Sequence, residues 1–259
     1  MKTALTVAGS DCSGGAGIQA DLKTFTAHKV YGMSVITAIT AQNTYGVYGV
    51  ENVSPEFVEA QFKAVFSDIF PEAVKIGMVS SVDLVKIISK ALLENKAKNI
   101  VLDPVMVSTS GYKLISDNAI NALKEELLSV ADIITPNLPE AEVLSSIIIR
   151  DKSDMLKAAE VIAKHTTAYI LIKGGHSDSN CDDMLYHNGE VVWFKGKRIN
   201  TKNTHGTGCT LSSAIAASLA LGKSMTQAVE AAKAYVSGAI AANPGLGKGN
   251  GPIDHCFDL

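Results

Sequence analysis

What this sequence lacks excludes several classes before any motif is weighed. No G-x-x-x-x-G-K-[ST] segment occurs, which removes the P-loop enzymes, and no G-x-S-x-G occurs, which removes esterases built on a nucleophile elbow. The four cysteines, Cys12, Cys181, Cys209 and Cys256, lie far apart, with no C-x-x-C pair and no His/Cys grouping at zinc spacing. Reduced thiols in a cytoplasm fit that distribution best. The six histidines are scattered, which argues against a histidine-based metal or catalytic cluster. A formal net charge of −3 leaves no electrostatic footprint for nucleic acid or an anionic membrane. The longest apolar stretches, near Leu211 and Ala231, fall short of the roughly 18 residues that a membrane span needs.

What is present suits a packed core, with 47% apolar against 19% charged residues. The start, Met1 to Ala8, faintly mimics a signal peptide. Its apolar part is short and runs into Asp11 and a glycine cluster, so it is read as a first buried strand. Strand-like runs follow at Val35 to Ala41, Val74 to Met78, Ile100 to Leu102, Ala131 to Thr135 and Ala168 to Ile172. Between them lie helical patterns at Ala16 to His28, Pro55 to Phe66, Val82 to Leu93, Asn118 to Leu128, Leu138 to Leu144 and Ser153 to Lys164. Asn188-Gly189, between Met184 to His187 and Val191 to Phe194, is a two-residue hairpin signal. Helices at Gly208 to Leu221 and Met225 to Ala242 close the pattern. Such alternation predicts an α/β fold, one domain over residues 1–259, with a mainly parallel sheet and helices on both faces. In sheets of this kind ligands bind beyond the carboxyl ends of the strands.

The chain is organised around Asn203-Thr204-His205-Gly206-Thr207-Gly208-Cys209-Thr210 and the small-residue run behind it. Glycines two apart allow a sharp turn, and a helix start carries unpaired N–H groups and about +0.5 charge, which suits a phosphoryl group in transit. Cys209 falls in that first turn, where a thiol pKa is expected to be lowered. A plain helix cap with a buried cysteine accounts for the stretch equally well. Gly15-x-Gly17-x-x-Ala20 matches the dinucleotide fingerprint, but the second strand ends Ala41-Gln42-Asn43 without the carboxylate that fingerprint expects. A loop closing over a small substrate, with Asp11 available for hydrogen bonding, explains those glycines as well. Gln42 and Asn43 offer the donors and acceptors that recognition of a heteroaromatic ring needs, and Met78 is placed to line the same pocket. Asp103 and Glu140 are the carboxylates placed near a metal, since magnesium takes one or two carboxylates alongside phosphates and water. Asn137 and Glu140, three apart at a helix start, equally form a capping box. Lys173, at a strand end before two glycines, is a candidate point charge for ATP phosphates.

These pieces together resemble the ribokinase-like superfamily of small-molecule kinases, and within it the hydroxymethylpyrimidine/phosphomethylpyrimidine kinases of thiamine biosynthesis. The resemblance runs over nearly the whole chain. Its carriers are Ala8-Gly9-Ser10-Asp11-x-Ser13-Gly14-Gly15-Ala16-Gly17-Ile18-Gln19-Ala20-Asp21, Thr40-Ala41-Gln42-Asn43-Thr44, Lys75-Ile76-Gly77-Met78, Asp103-Pro104-Val105-Met106, Thr135-Pro136-Asn137-x-x-Glu140, Lys173-Gly174-Gly175-His176 and Thr204-His205-Gly206-Thr207-Gly208-Cys209-Thr210. It implies a ribokinase-like fold and a pyrimidine held by Asp11, Gln42 and Met78 beneath a flap around Ser108 to Gly111. It implies that Asn137 and Glu140 organise Mg-ATP, with Asp103 in the metal environment. Lys173 and Thr204 then serve ATP, and Gly206, Thr207, Gly208 and Cys209 form the catalytic anion hole. Cys209 stands where sugar kinases of the superfamily carry an aspartate base. The resemblance also implies a homodimer. The flap segment has no cysteine, unlike some relatives that phosphorylate pyridoxal, and Tyr112 stands where many relatives have aspartate. Pyridoxal kinase is the competing activity within the class. A nicotinamide-dependent oxidoreductase and a non-catalytic pyrimidine-binding regulator are the alternatives outside it.

Overall fold

A computed structural model describes residues 1–107, 114–175 and 181–259. The strands are β1 (Thr3–Asp11), β2 (Tyr31–Asn43), β3 (Gly46–Asn52), β4 (Ala73–Ile76), β5 (Ile100–Leu102), β6 (Ile133–Ile134), β7 (Tyr169–Ile172), β8 (Asp183–His187) and β9 (Glu190–Phe194). The helices are α1 (Gly17–Ala27), α2 (Pro55–Phe66), α3 (Val82–Glu94), α4 (Asp117–Ala122), α5 (Leu128–Val130), α6 (Leu138–Ser145), α7 (Lys152–Ile162), α8 (Thr207–Ala220) and α9 (Met225–Ala242). A π-helical stretch, Leu123–Leu127, joins α4 to α5, so the helix expected over Asn118 to Leu128 is continuous but unevenly wound.

The nine strands make one sheet in the order β3-β2-β1-β4-β5-β6-β7-β8-β9. From β2 through β7 the neighbours are parallel, and antiparallel strands close both edges. The chain leaves β1 on one side to make β2 and returns on the other to make β4. That reversal of direction is the switch point at which open α/β sheets place their ligands. The strand-end residues anticipated from the sequence, Asp11, Gln42, Met78, Asp103, Asn137 and Lys173, all lie at or just past the carboxyl ends of parallel strands.

Alternation along the strands sorts the core into two layers. Leu5, Val7, Val74, Ile76 and Leu102 pack with α2, α3 and the helices that follow; Ala4, Ala73, Val101 and Ile133 pack with α1, α8 and α9. Every residue of α8 from Thr210 to Ala220 is buried. Alanine and serine make up most of that run, which lets the helix lie close against the sheet. Two expectations needed correction. The first two strands extend well beyond their apolar runs, because parallel ladder bonds carry on through Ser10 and Asp11 opposite Ile39 and Thr40. The edge strand β3 carries no apolar run to signal it. It has two glycines and an exposed Tyr48, and it exists because β2 offers it an antiparallel partner.

One polar cluster crosses the α1/α8 layer. Lys75 and Asp21 are both fully buried, and the Lys75 ammonium donates to the two Asp21 oxygens at 3.0 and 2.8 Å. Thr6 from β1 and Ser213 from α8 each donate to Asp21 at 2.6 Å. The carboxylate therefore ties β1, α1, β4 and α8 together. Removing one partner of such a pair strands a buried charge, at a cost of about 3–5 kcal/mol, whereas replacing both by apolar groups costs far less. In urea titrations, Lys75→Met is expected to lose that much stability. The double variant Lys75→Met/Asp21→Leu is expected to recover most of it.

Candidate active site

The turn before α8 is built by Gly206, whose φ of 84° lies in the left-handed region. A Cβ there would also run into the Gly15 carbonyl, so only glycine fits. The Thr204 carbonyl closes the turn by accepting from the Thr207 hydroxyl at 3.0 Å and the Thr207 amide at 3.3 Å. The helical ladder begins only at Thr210, whose amide donates to the Gly206 carbonyl at 2.9 Å. The amides of Gly208 and Cys209 precede the ladder and stay outside it. Helices α2, α3, α6, α7 and α9 each carry a side-chain cap at their N-terminus. Helices α1 and α8, which start at the switch point, have none. The first turn of α8 lies beside Lys173 and Asp103 at the strand ends, and the Gly17 amide of α1 donates to Cys209.

Beside this turn sits a charged group from the neighbouring strand ends. A Cβ at Gly208 would lie 3.6 Å from the Lys173 ammonium and 3.5 Å from Asp103 Oδ2. Asp103 is buried; it accepts from Lys173 at 2.9 Å, from Thr135 at 3.1 Å and from Ser212 at 3.4 Å. Burial opposes the Lys173 charge, but Asp103 and Glu140 beside it outweigh burial and raise its pKa. Glu140 and Asn137 form the full capping box: the Glu140 amide donates to Asn137 Oδ1 at 2.9 Å, and the Asn137 amide donates back to the Glu140 carboxylate at 2.8 Å. Burial pushes the Glu140 carboxyl up to about 7, with Asp103 adding to the rise while Lys173 and the Asn137 and Met106 amides oppose it. A carboxylate that burial raises this far is stabilised in its ionised form by any further cation. Among the described residues no group of three or more His, Cys, Asp or Glu could hold a metal. Two carboxylates flanking a lysine suit an ion whose other ligands are phosphates and water.

Cys209 lies in the first turn of α8 as expected, but its chemistry is the reverse of the expected one. Desolvation pushes the thiol up to about 11; Asp21 and Asp103 add to the rise, and Lys75 and a hydrogen bond from the Gly17 amide do not offset it. The helix N-terminus is a partial charge, while burial and two carboxylates are full effects. At neutral pH the group is an uncharged thiol.

At the other end of the cleft, Asp11 accepts from the Ser13 amide and hydroxyl at 2.9 and 2.7 Å. It also accepts from the Gly15 and Ala16 amides at 3.1 and 2.8 Å, and from His205 Nε2 at 2.8 Å. Burial favours its neutral form, but the bonds from His205, Ser13 and Ala16 prevail and hold the carboxyl at about 2. Both oxygens are thus engaged within the protein, and what Asp11 gives a ligand is the shape of the glycine loop. The Gln42 amide lies 3.1 Å from the same His205 nitrogen. Met78 packs toward Gly9, and its carbonyl accepts from Thr37 at 2.8 Å. The flap around Ser108 to Gly111, Tyr112 and His176 lie outside the described residues.

Sequence reasoning missed three members of this constellation. Asp21 shares the Ile18/Phe25 face of α1, and Lys75 interrupts an apolar strand; opposite charges within two apolar patterns are the signal of a buried pair. His205 left no such signal, since its partners are 194 and 163 residues away.

Fold and site define a small-molecule phosphotransferase, an α/β sheet whose strand ends gather a lysine, two carboxylates and two uncapped helix starts. The chain matches the phosphomethylpyrimidine kinase family over residues 11–254, and it belongs to that family. It is 51% identical over 256 residues to a hydroxymethylpyrimidine/phosphomethylpyrimidine kinase of Rhizobium meliloti, covering 97% of this chain and 96% of that one. The crystal structure of phosphomethylpyrimidine kinase from Clostridium difficile is similar with a TM-score of 0.84 at 48% identity, over 93% of this chain and all of that one. A pyridoxal kinase from Staphylococcus aureus, in complex with AMP-PCP and pyridoxal, superimposes with a TM-score of 0.92 at 35% identity, over 100% of this chain and 94% of that one.

The high thiol pKa has a direct readout. Alkylation of Cys209, followed by peptide mass spectrometry, is expected to accelerate by about tenfold per pH unit between about pH 8 and about pH 10. A plateau near neutral pH would show a thiolate instead.

Proposed function

We propose that this chain is a single kinase domain that transfers the γ-phosphoryl of ATP to 4-amino-5-hydroxymethyl-2-methylpyrimidine and then to the resulting monophosphate. The observation that carries this is the free first turn of α8 beside Lys173 and Asp103, at the switch point of the sheet. Family membership supports the acceptor. In phosphoryl transfer through a loose transition state, positioning and charge stabilisation do most of the work. The amides of Gly208 and Cys209, with the Lys173 ammonium, face the oxygens where negative charge gathers. Asn137 and Thr204 border the nucleotide side, and Gln42 and Met78 border the acceptor side. Asp103 and Glu140 would hold magnesium together with the phosphates; when bound, the ion neutralises charge on the transferring group.

The uncharged thiol suits an enzyme with two acceptors. An alcohol loses its proton late, so a weak hydrogen-bonding partner that orients it suffices. A phosphate acceptor is already anionic, and a carboxylate at position 209, next to Asp103 and Asp21, would repel it. The fold is shared with a pyridoxal kinase, so pyridoxal is the competing acceptor. We further propose a homodimer, for which the exposed Ile39, Tyr45 and Tyr48 around the β2–β3 edge supply apolar surface.

Steady-state assays with the hydroxymethylpyrimidine, its monophosphate and pyridoxal test the activity. Both pyrimidines are expected to exceed pyridoxal in kcat/KM, and the opposite order overturns the assignment. In the same assays Cys209→Ala, which removes an orienting hydrogen bond, is expected to slow the first transfer by about tenfold and the second less. Glu140→Gln separates the cap from the metal role, because glutamine also closes a capping box. It is expected to keep the thermal midpoint while raising the magnesium concentration for half-maximal rate by about 10–100-fold.

A further inference from the structure

His205 is buried between the glycine loop and the end of β2, and it sits next to the Gly206 turn. Its Nε2 is 2.8 Å from Asp11 Oδ2 and 3.1 Å from the end of the Gln42 amide placed as Nε2. The other end, placed as Oε1, is 3.3 Å from Thr40 Oγ1, which is itself 3.0 Å from the Ser10 carbonyl, and the contacts on both sides call for the half-turned amide. A terminal amide has two orientations related by a half-turn, and the hydrogen-bond network decides between them.

Two separate proton counts give one answer. A nitrogen 2.8 Å from a carboxylate carries its hydrogen, and Nε2 has room for only one, so it cannot accept from an amide NH2. The atom of Gln42 facing His205 is therefore oxygen, which shares the one Nε2 hydrogen with Asp11. Thr40 has one hydroxyl hydrogen, and the Ser10 carbonyl, which can only accept, takes it. Toward Gln42 the hydroxyl must accept, so the atom facing Thr40 must be nitrogen. We propose that His205 and Thr40 lock the Gln42 amide with its oxygen toward His205 and its nitrogen toward Thr40, and are thereby specificity-determining residues for the acceptor.

The consequence rests on the pyrimidine-kinase assignment above. Locked in this way, Gln42 keeps one N–H and one oxygen lone pair free, in a fixed order. That order complements a heterocycle edge in which a ring nitrogen accepts beside an exocyclic amine that donates, the same bidentate logic by which glutamine reads adenine. An oxo heterocycle presents the reverse order and is refused. Without the lock the amide turns freely and serves both.

The test uses His205→Phe, His205→Gln and Thr40→Val in the full chain, assayed with 4-amino-5-hydroxymethyl-2-methylpyrimidine and with its 4-oxo counterpart. The native protein is expected to favour the amino compound by at least about 100-fold in kcat/KM. His205→Phe and Thr40→Val are each expected to shrink that ratio by about tenfold or more, through KM for the amino compound rather than kcat. His205→Gln, which has two N–H donors for Asp11 and Gln42, is expected to recover most of it. An unchanged ratio in His205→Phe and Thr40→Val overturns the proposal; if His205→Phe does not fold, Thr40→Val decides. If the native protein phosphorylates neither pyrimidine, the assignment of activity falls instead. The lock is then read without turnover: in labelled protein, the stronger NOE from the Gln42 NH2 is expected to reach the Thr40 side chain. A stronger NOE to the His205 ring refutes it.

Discussion

The Asp21–Lys75 pair is the constraint on which the active site depends. A charge buried on α1 has to be met by one buried on β4, and its remaining lone pairs are met by Thr6 and Ser213. The pairing is selective because a buried ion with an unfilled lone pair is costly. Ser213 lies on α8, within one turn of Cys209, so satisfying Asp21 also sets how far α8 advances along the sheet. The uncapped helix start is thereby held level with the ends of β5 and β7, where Asp103 and Lys173 emerge.

The same pair shapes the electrostatics in front of it. Asp21 and Asp103 are negative, Lys75 and Lys173 positive, and the cysteine between them stays neutral because it is desolvated. Glu140 shows the complementary effect, a carboxyl that burial holds near neutrality in pH terms. A pocket made this way has few net charges of its own. On the proposed function, substrate phosphates and their counter-ion would bring the rest.

Capping separates α1 and α8 from the other long helices. Helices α2, α3, α7 and α9 use serine or aspartate to satisfy their first amides, and α6 is capped by Asn137 at the site itself. Helices α1 and α8 begin instead after glycines, with no side-chain oxygen on their first amides. Asp11 supports both turns, accepting from the glycine loop before α1 and from His205 before α8.

Much of this molecule was legible in its residues. Period and punctuation placed α2 and α9 to the residue and the Asn188-Gly189 hairpin at its positive φ angles, because these depend on neighbours a few positions apart. The strand-end positions of Asp103, Lys173 and Gln42 were legible in the same way. The capping box at Asn137 and Glu140 was one of two local readings, and its hydrogen bonds are present. Only the tertiary structure decided the rest. The charge state of Cys209 is set by how much water and how many carboxylates surround it. The edge strand β3 depends on a partner strand, and the His205 contacts join residues from opposite ends of the chain. Solvation and long-range donor–acceptor matching are properties of packed atoms, and no stretch of sequence contains them.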